Sequence, residues 1–265
     1  MSTVSSPADP SSIAPLSAIA LLGVHVKYAL LETIRVPIAL IGTFVFPSLS
    51  LLFFVVPQSS VAGNPLYATQ AVISLTVFAV MANLLFSFGL GVAGDRETPW
   101  YPYVRTLPAP GRVRVGASVV STGIFAIGAM APVVVLGAVL TKAEASPAGL
   151  LGGFGALALG SLPFAFLGLA IGYSLPSKAA IAVVQVVMFG LAFGGGLFLP
   201  PLMFPGWLDQ LSTFLPSRQT RELVIWAVQG GTLEPWVWLG LIGWTVGTLA
   251  VALVLNRRDE GRRYR

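Results

Sequence analysis

The chain has 265 residues, of which 55% are hydrophobic and only 9% charged, and its mean hydropathy is +0.85. Soluble domains carry about 25% charged residues, so composition excludes a soluble globular enzyme. The formal net charge of +5 does not point to nucleic acid, because the basic residues stand in short segments between apolar stretches, and the absence of cysteine removes disulfides and thiolate metal sites.

Residues 1–12 are rich in Ser, Pro and Ala and carry no Lys or Arg. They read as a disordered tail and not as the positive n-region of a signal peptide. Residues 13–35 are apolar but one-sided: His25, Tyr28, Glu32 and Arg35 share one helical face, with Leu16, Ala20, Gly23, Leu30 and Ile34 opposite. This pattern fits an amphipathic helix lying in the membrane interface, the alternative being one further span.

From Arg35 to Asp95 there is no charged residue, and the run is too long for one crossing of a hydrocarbon core about 30 Å thick. The turn residues Pro57, Gly63, Asn64 and Pro65 divide it into spans of about 36–57 and 67–92. Further uncharged runs place spans at about 115–140, 147–174, 179–199 and 236–256, with 257–265 as a basic tail. The fold class expected is all-α, with six transmembrane helices in 36–256. Between the last two spans, 200–235 holds a short amphipathic helix with Trp207, Leu208, Leu211, Phe214 and Leu215 on one face. Pro216 opens a second helix in which Arg218 and Glu222 are spaced i,i+4 for an ion pair.

Six spans put twelve of the fifteen basic residues on one side: Lys27, Arg35, Arg96, Arg105, Arg112, Arg114, Lys178 and the five tail arginines. Lys142, Arg218 and Arg221 fall on the other, so both termini are expected in the cytoplasm.

Catalytic and metal chemistry find little to work with. His25 is the single histidine, so no His-based metal site or Ser-His-acid triad forms without it. No Lys follows a Gly, which removes the phosphate-binding loop of nucleotide hydrolases. No catalytic or metal residue is assigned, and no cofactor is expected on this chain. The spans contain no ionisable group, which argues against a proton relay; energy for transport must then come from a partner. Asn83, Ser87 and Gln185 are the polar residues within spans. They either hydrogen-bond between helices or line a path with Phe86, Phe88, Met188, Phe189 and Phe193. Pairs spaced GxxxG (Gly149/Gly153, Gly168/Gly172, Gly190/Gly194, Gly243/Gly247) license close helix packing. Segment 94–116, GDRETPWYPYVRTLPAPGRVRVG, mixes acidic, basic and aromatic residues with four prolines. It reads either as a loop that sets topology or as a docking element for a cytosolic protein.

This loop and the 165–222 region resemble the membrane subunit of ABC-2 type ATP-binding-cassette exporters, the group that includes daunorubicin-resistance permeases. The resemblance rests on Asp95-Arg96-Glu97 followed by Arg105-Thr106-Leu107-Pro108, on FLGLAIGYSLPSKAA (166–180), on GGGLFLPPLMFPGW (194–207), and on Leu215-Pro216 with Arg221. The Pro-Trp-Tyr-Pro-Tyr stretch (99–103) and the missing Lys at the start of the third span depart from that pattern. The resemblance implies outward transport of a hydrophobic or amphipathic compound, such as a drug, antibiotic, lipid or glycolipid, across a bacterial inner membrane. It implies a second permease, identical or not, and two copies of a cytosolic ATPase that carries the ATP and Mg. Asp95, Arg96, Glu97, Arg105, Leu107 and Pro108 would then form the ATPase-coupling element, and Phe198, Pro200, Pro205, Trp207 and Arg221 an extracellular re-entrant hairpin gating release. The alternatives are an ATP-independent secondary carrier, a scaffold or a lipid-modifying protein.

Overall fold

In the computed structural model the described residues are 17–35, 37–99 and 111–262. The expected tail 1–12, residues 13–16, and Arg105, Leu107 and Pro108 lie outside them. All regular elements among the described residues are helical. Five helices are long and apolar enough to cross a membrane: Pro65–Glu97, Gly116–Leu140, Pro147–Ser174, Ser177–Gly194 and Pro235–Asp259. They coincide with the second to sixth expected spans.

The expected first span takes a different form. Helix α2 (Pro37–Ser50) contains Pro47 and continues into a wide turn over Leu51–Val55. Pro47 has no N–H and interrupts the ladder. Ser48 and Ser50 donate their hydroxyls to the carbonyls of Phe44 (3.0 Å) and Phe46 (2.9 Å), and Val56 N–H reaches back five residues to Leu51 O at 3.0 Å. Its described apolar stretch, Phe44–Val55, is shorter than the five spans.

Before it, α1 (Ala18–Ile34) packs on the start of α5 (Gly111–Leu140). The half-buried positions are Leu21, Leu22, His25, Val26, Ala29 and Leu30, while Ala20, Gly23 and Ile34 are exposed. Thus the packed face includes His25, whose Nδ1 lies 2.9 Å from Leu21 O, and much of the face read as apolar is left outward.

After a short turn of helix α3 (Ser59–Ala62), Asn64 caps α4 (Pro65–Glu97) by accepting from Leu66 N–H (3.0 Å) and Tyr67 N–H (3.4 Å), with Pro65 in the first helical position. α4 is apolar along its spanning part and buried over most of it, whereas α11 (Pro235–Arg262) is largely exposed, so α4 is the axis of the bundle and α11 part of its rim. α7 (Leu162–Ser174) meets α4 through glycines: a Cβ on Gly172 would stand 2.7 Å from Phe88 O, and one on Gly168 3.1 Å from Leu84 O. α8 (Ser177–Gly194) packs at Gly89, where a Cβ would lie 2.8 Å from a Val184 methyl. α6 (Pro147–Gly160) and α7 form one span broken at Ser161 and Pro163. Of the GxxxG pairs, Gly149/Gly153 fits against Val228 of α10 (Pro216–Gln229) and Gly168/Gly172 against α4, whereas Gly243 and Gly247 face open space.

Two helix ends lie beyond the expected boundaries. No proline stands between Pro65 and Pro99, so α4 runs through Asp95, Arg96 and Glu97, which therefore occupy its last turn and not a loop. α11 continues to Arg262 instead of ending in a free tail at 257. Between α8 and α10, α9 (Gly206–Ser212) is the expected short helix.

Candidate functional site

Arg96 and Glu97 tie together helix ends from three other elements. The Arg96 guanidinium donates from Nη2 (2.7 Å) and Nε (3.0 Å) to Asp259 Oδ1 on α11. Its Nη1 donates to the carbonyls of Gly172 (2.8 Å) and Leu175 (3.3 Å) at the C-terminal end of α7. A cation there satisfies carbonyls that have no partner within their own helix and complements the negative end of the helix dipole. Glu97 does the converse for α8. The residue before that helix is Pro176, which has no side-chain acceptor, and Glu97 fills the role by accepting from Ser177 N–H (2.9 Å) and Ser177 Oγ–H (2.6 Å). Asp95, one residue back and thus about 100° round the helix, takes no part in this lock.

Asp95 instead lines a cavity of about 1180 Å³. α5 packs chiefly on α1 and α4, whereas α6 and α7 pack on α4, α10 and α11, and the cavity is the space between these two groups. Leu84 and Phe88 of α4 form its floor, Ile124 and Ile127 of α5 one wall, and Leu162 and Leu169 the other. Asp95, Thr98, Ser118, Tyr173 and Asn256 gather at the end where α4 terminates.

A separate aromatic cluster joins α2, α4 and α8. Phe78 and Phe198 have ring centroids 4.7 Å apart, Phe193 and Phe198 5.1 Å, Phe46 and Phe78 5.8 Å, and Phe189 and Phe193 6.3 Å. The residues read from sequence as one path therefore divide. Phe88 faces the cavity; Phe189 and Phe193 join the aromatic cluster; Met188 is buried in the core; Phe86 packs at its edge; Gln185 is exposed. Asn83 is buried within α4, and its Oδ1 has no hydrogen-bond partner among the described residues.

At the opposite end of the bundle, α10 is wedged among the spans. Ser217 Oγ donates to Leu191 O at 2.7 Å. Thr220 Oγ–H lies 2.7 Å from Gly160 O, the carbonyl released where α6 breaks before Pro163, and 2.7 Å from Pro216 O. Arg221 is 5% exposed and donates to Ser74 Oγ of α4 (2.8 Å) and Glu222 Oε1 (2.7 Å). The i,i+4 pair is present, with Arg218 Nε 2.9 Å from Glu222 Oε1. Of the other residues assigned to an outer gate, Phe198 belongs to the aromatic cluster, Pro200 and Pro205 precede short helices, and Trp207 is exposed.

Sequence reasoning missed Asp259, Ser177, Ser217 and Thr220. Asp259 stood as an acid within a run of arginines, and Ser177 followed a proline at a span start. Neither feature names its partner, since Arg96–Asp259 is separated by 163 residues and Glu97–Ser177 by 80.

No protein-family model matches the chain. Over 235 residues, 88% of this chain and 92% of the relative, it is 24% identical to the protein named "Putative transport permease YvfS" of Bacillus subtilis (strain 168). That likeness and the five apolar helices support a multi-pass membrane protein of the transport permease kind, and a transporter more than a catalytic enzyme.

Proposed function

We propose that the chain is the membrane subunit of an ATP-binding-cassette exporter that moves a hydrophobic or amphipathic compound outward across a bacterial inner membrane. The observation that carries this reading is the lock at the last turn of α4. Arg96 and Glu97 bind the ends of α7, α8 and α11 to the helix that leads directly into the segment read as the ATPase-coupling element. A push delivered there by a cytosolic ATPase would reach four helices together, which is what a permease without its own phosphate-binding loop or proton relay needs.

In this reading the Pro47 helix and its wide turn complete six spans, and the arginine-bearing segment 94–114 and the end of α11 face the cytoplasm. α1 lies in the interface with Ile19 and Ile34 turned to lipid. α9 and α10 form the outer re-entrant hairpin, and its buried Arg221 holds the hairpin to α4. A second permease covers the apolar surface left exposed by Phe53 of the wide turn and by Val186 and Phe193 of α8. ATP and Mg belong to two ATPase subunits.

The test is to reconstitute the permease with an ATPase subunit that co-purifies with it and to follow efflux from loaded vesicles. Export should stop when the ATPase loses its phosphate-binding lysine. Export that runs at full rate without the ATPase, and collapses with an uncoupler, would establish a secondary carrier instead.

A further inference from the structure

The large cavity has the form of an amphipathic binding site, and the charge at its polar end specifies what enters. Its floor and walls are aliphatic and aromatic over most of their length. At about 1180 Å³ it exceeds the room that most drug-sized ligands occupy, about 300–1,000 Å³. Most of its polar groups gather at the end where α4 terminates, namely Asp95, Thr98, Ser118, Tyr173 and Asn256, while Ser161 at the break between α6 and α7 donates its hydroxyl to Ala158 O at 2.8 Å. Asp95 pairs with no basic side chain among the described residues, and Glu32 of α1, a charge of the same sign, acts on it. Arg96, the adjacent cation, is engaged with Asp259 and the α7 carbonyls.

We propose that this cavity binds an amphipathic cation, with the cationic group against Asp95 and the apolar body along Leu84, Phe88 and Ile124. The inference rests on the permease reading and gives its substrate class. A carboxylate at the edge of an apolar, weakly solvated space attracts a cation more strongly than it would in water. The acidic pair Asp95 and Glu32 would repel the phosphate of a zwitterionic phospholipid. The occupant is therefore a phosphate-free cation, the compound to be exported, and not a lipid with an ammonium headgroup. Its way in is lateral: Val119 and Ile127 of α5 and Phe154 of α6 border the opening and are 55%, 55% and 46% exposed.

The test uses the full chain in phosphatidylcholine nanodiscs, without ATPase, and two probes: dodecylamine bearing a dansyl group at its far end, and the matching neutral alcohol. The amine should bind about tenfold more tightly, the worth of one charge-assisted contact. Asp95→Asn should remove that preference and leave the alcohol unchanged, while Asp95→Glu keeps it. Gly123 lines the cavity and nothing lies within 4 Å of a Cβ placed there, so Gly123→Trp fills the space and should weaken both probes. Equal affinity for the two probes, a preference that survives Asp95→Asn, or no effect of Gly123→Trp would overturn the proposal. Displacement of the amine by phosphatidylethanolamine would also overturn it by assigning the site to a lipid. These outcomes do not touch ATPase-dependent export, and loss of ATPase dependence would leave the binding result standing, so the two readings fail separately.

Discussion

Replacing Arg96 with Ala removes two bonds to Asp259 and two to the carbonyls that end α7, all made by one guanidinium. The side chains are 20% and 8% exposed, so the pair is neither a surface ion pair nor fully enclosed. Surface pairs contribute about 0–1 kcal/mol, whereas losing one partner of a buried pair costs about 3–5 kcal/mol. The partial exposure and the further contact that Asp259 makes place Arg96→Ala between these limits, at about 2–3 kcal/mol. Arg96→Lys keeps the charge but reaches either Asp259 or the carbonyls and not both, so about 1–2 kcal/mol is expected. Asp259→Asn leaves a neutral acceptor and the carbonyl bonds, at about 1 kcal/mol. The double variant Arg96→Ala/Asp259→Ala should lose less than the sum of the single changes, with a coupling of about 1–2 kcal/mol. Unfolding of the purified chain by sodium dodecyl sulfate in mixed micelles measures all of these. Strict additivity in the double variant, or an Arg96→Ala no worse than Asp259→Asn, would refute the lock.

Glycine packing gives a paired prediction in the same assay. Gly172→Ala pushes a methyl against Phe88 O and Gly89 O at 2.7 and 2.9 Å, backbone that cannot yield, and should cost about 1–3 kcal/mol; Gly243→Ala meets nothing within 4 Å and should stay within about 0.5 kcal/mol of the parent. Thr220→Val deprives Gly160 O of its donor and should cost about 1–2 kcal/mol, while Thr220→Ser retains the hydroxyl and most of the stability. Glu97→Ala exposes the first turn of α8, so the Ser177 amide should exchange hydrogen faster by mass spectrometry while amides in mid-α8 stay unchanged; equal rates in parent and variant would show that Glu97 is not the cap.

What was legible in the sequence follows from what is local. A span announces itself by a charge-free run, because the cost of a charge in hydrocarbon is paid wherever it stands, and five such runs became helices in their expected places. The Arg218–Glu222 pair depends on neighbours within one turn and was readable for the same reason, whereas Asn64 and Pro65, read as turn residues, are the cap and the first residue of α4. The first span was less so, since Pro47 is tolerated in an apolar run yet resets the hydrogen-bond ladder. Helix ends at Glu97 and Arg262 were misplaced because charged residues were taken as the limit of a helix, when here they face partners that reward its continuation. Those partners are distant in the chain, and hydropathy carries no information about them. The cavity was not legible at all: it exists because two groups of helices lean on α4 from different sides, a property of packing and not of any one segment.

The Asp95-Arg96-Glu97 run shows how this affects function. Read as a string, three charged residues in a row look like one docking cluster. On a helix each step turns about 100°, and the run addresses three places: Asp95 the cavity, Arg96 the ends of α7 and α11, Glu97 the start of α8. Replacing all three together would therefore confound loss of coupling with loss of the scaffold that transmits it. Single changes separate the roles. A change at Arg96 or Glu97 should loosen helix ends whatever the ligand, whereas Asp95→Asn should leave the helix ends intact and alter only how a cation is held. If the segment after Glu97 is where a partner acts, one turn of α4 then joins the partner's movement to both the helix bundle and the cavity floor.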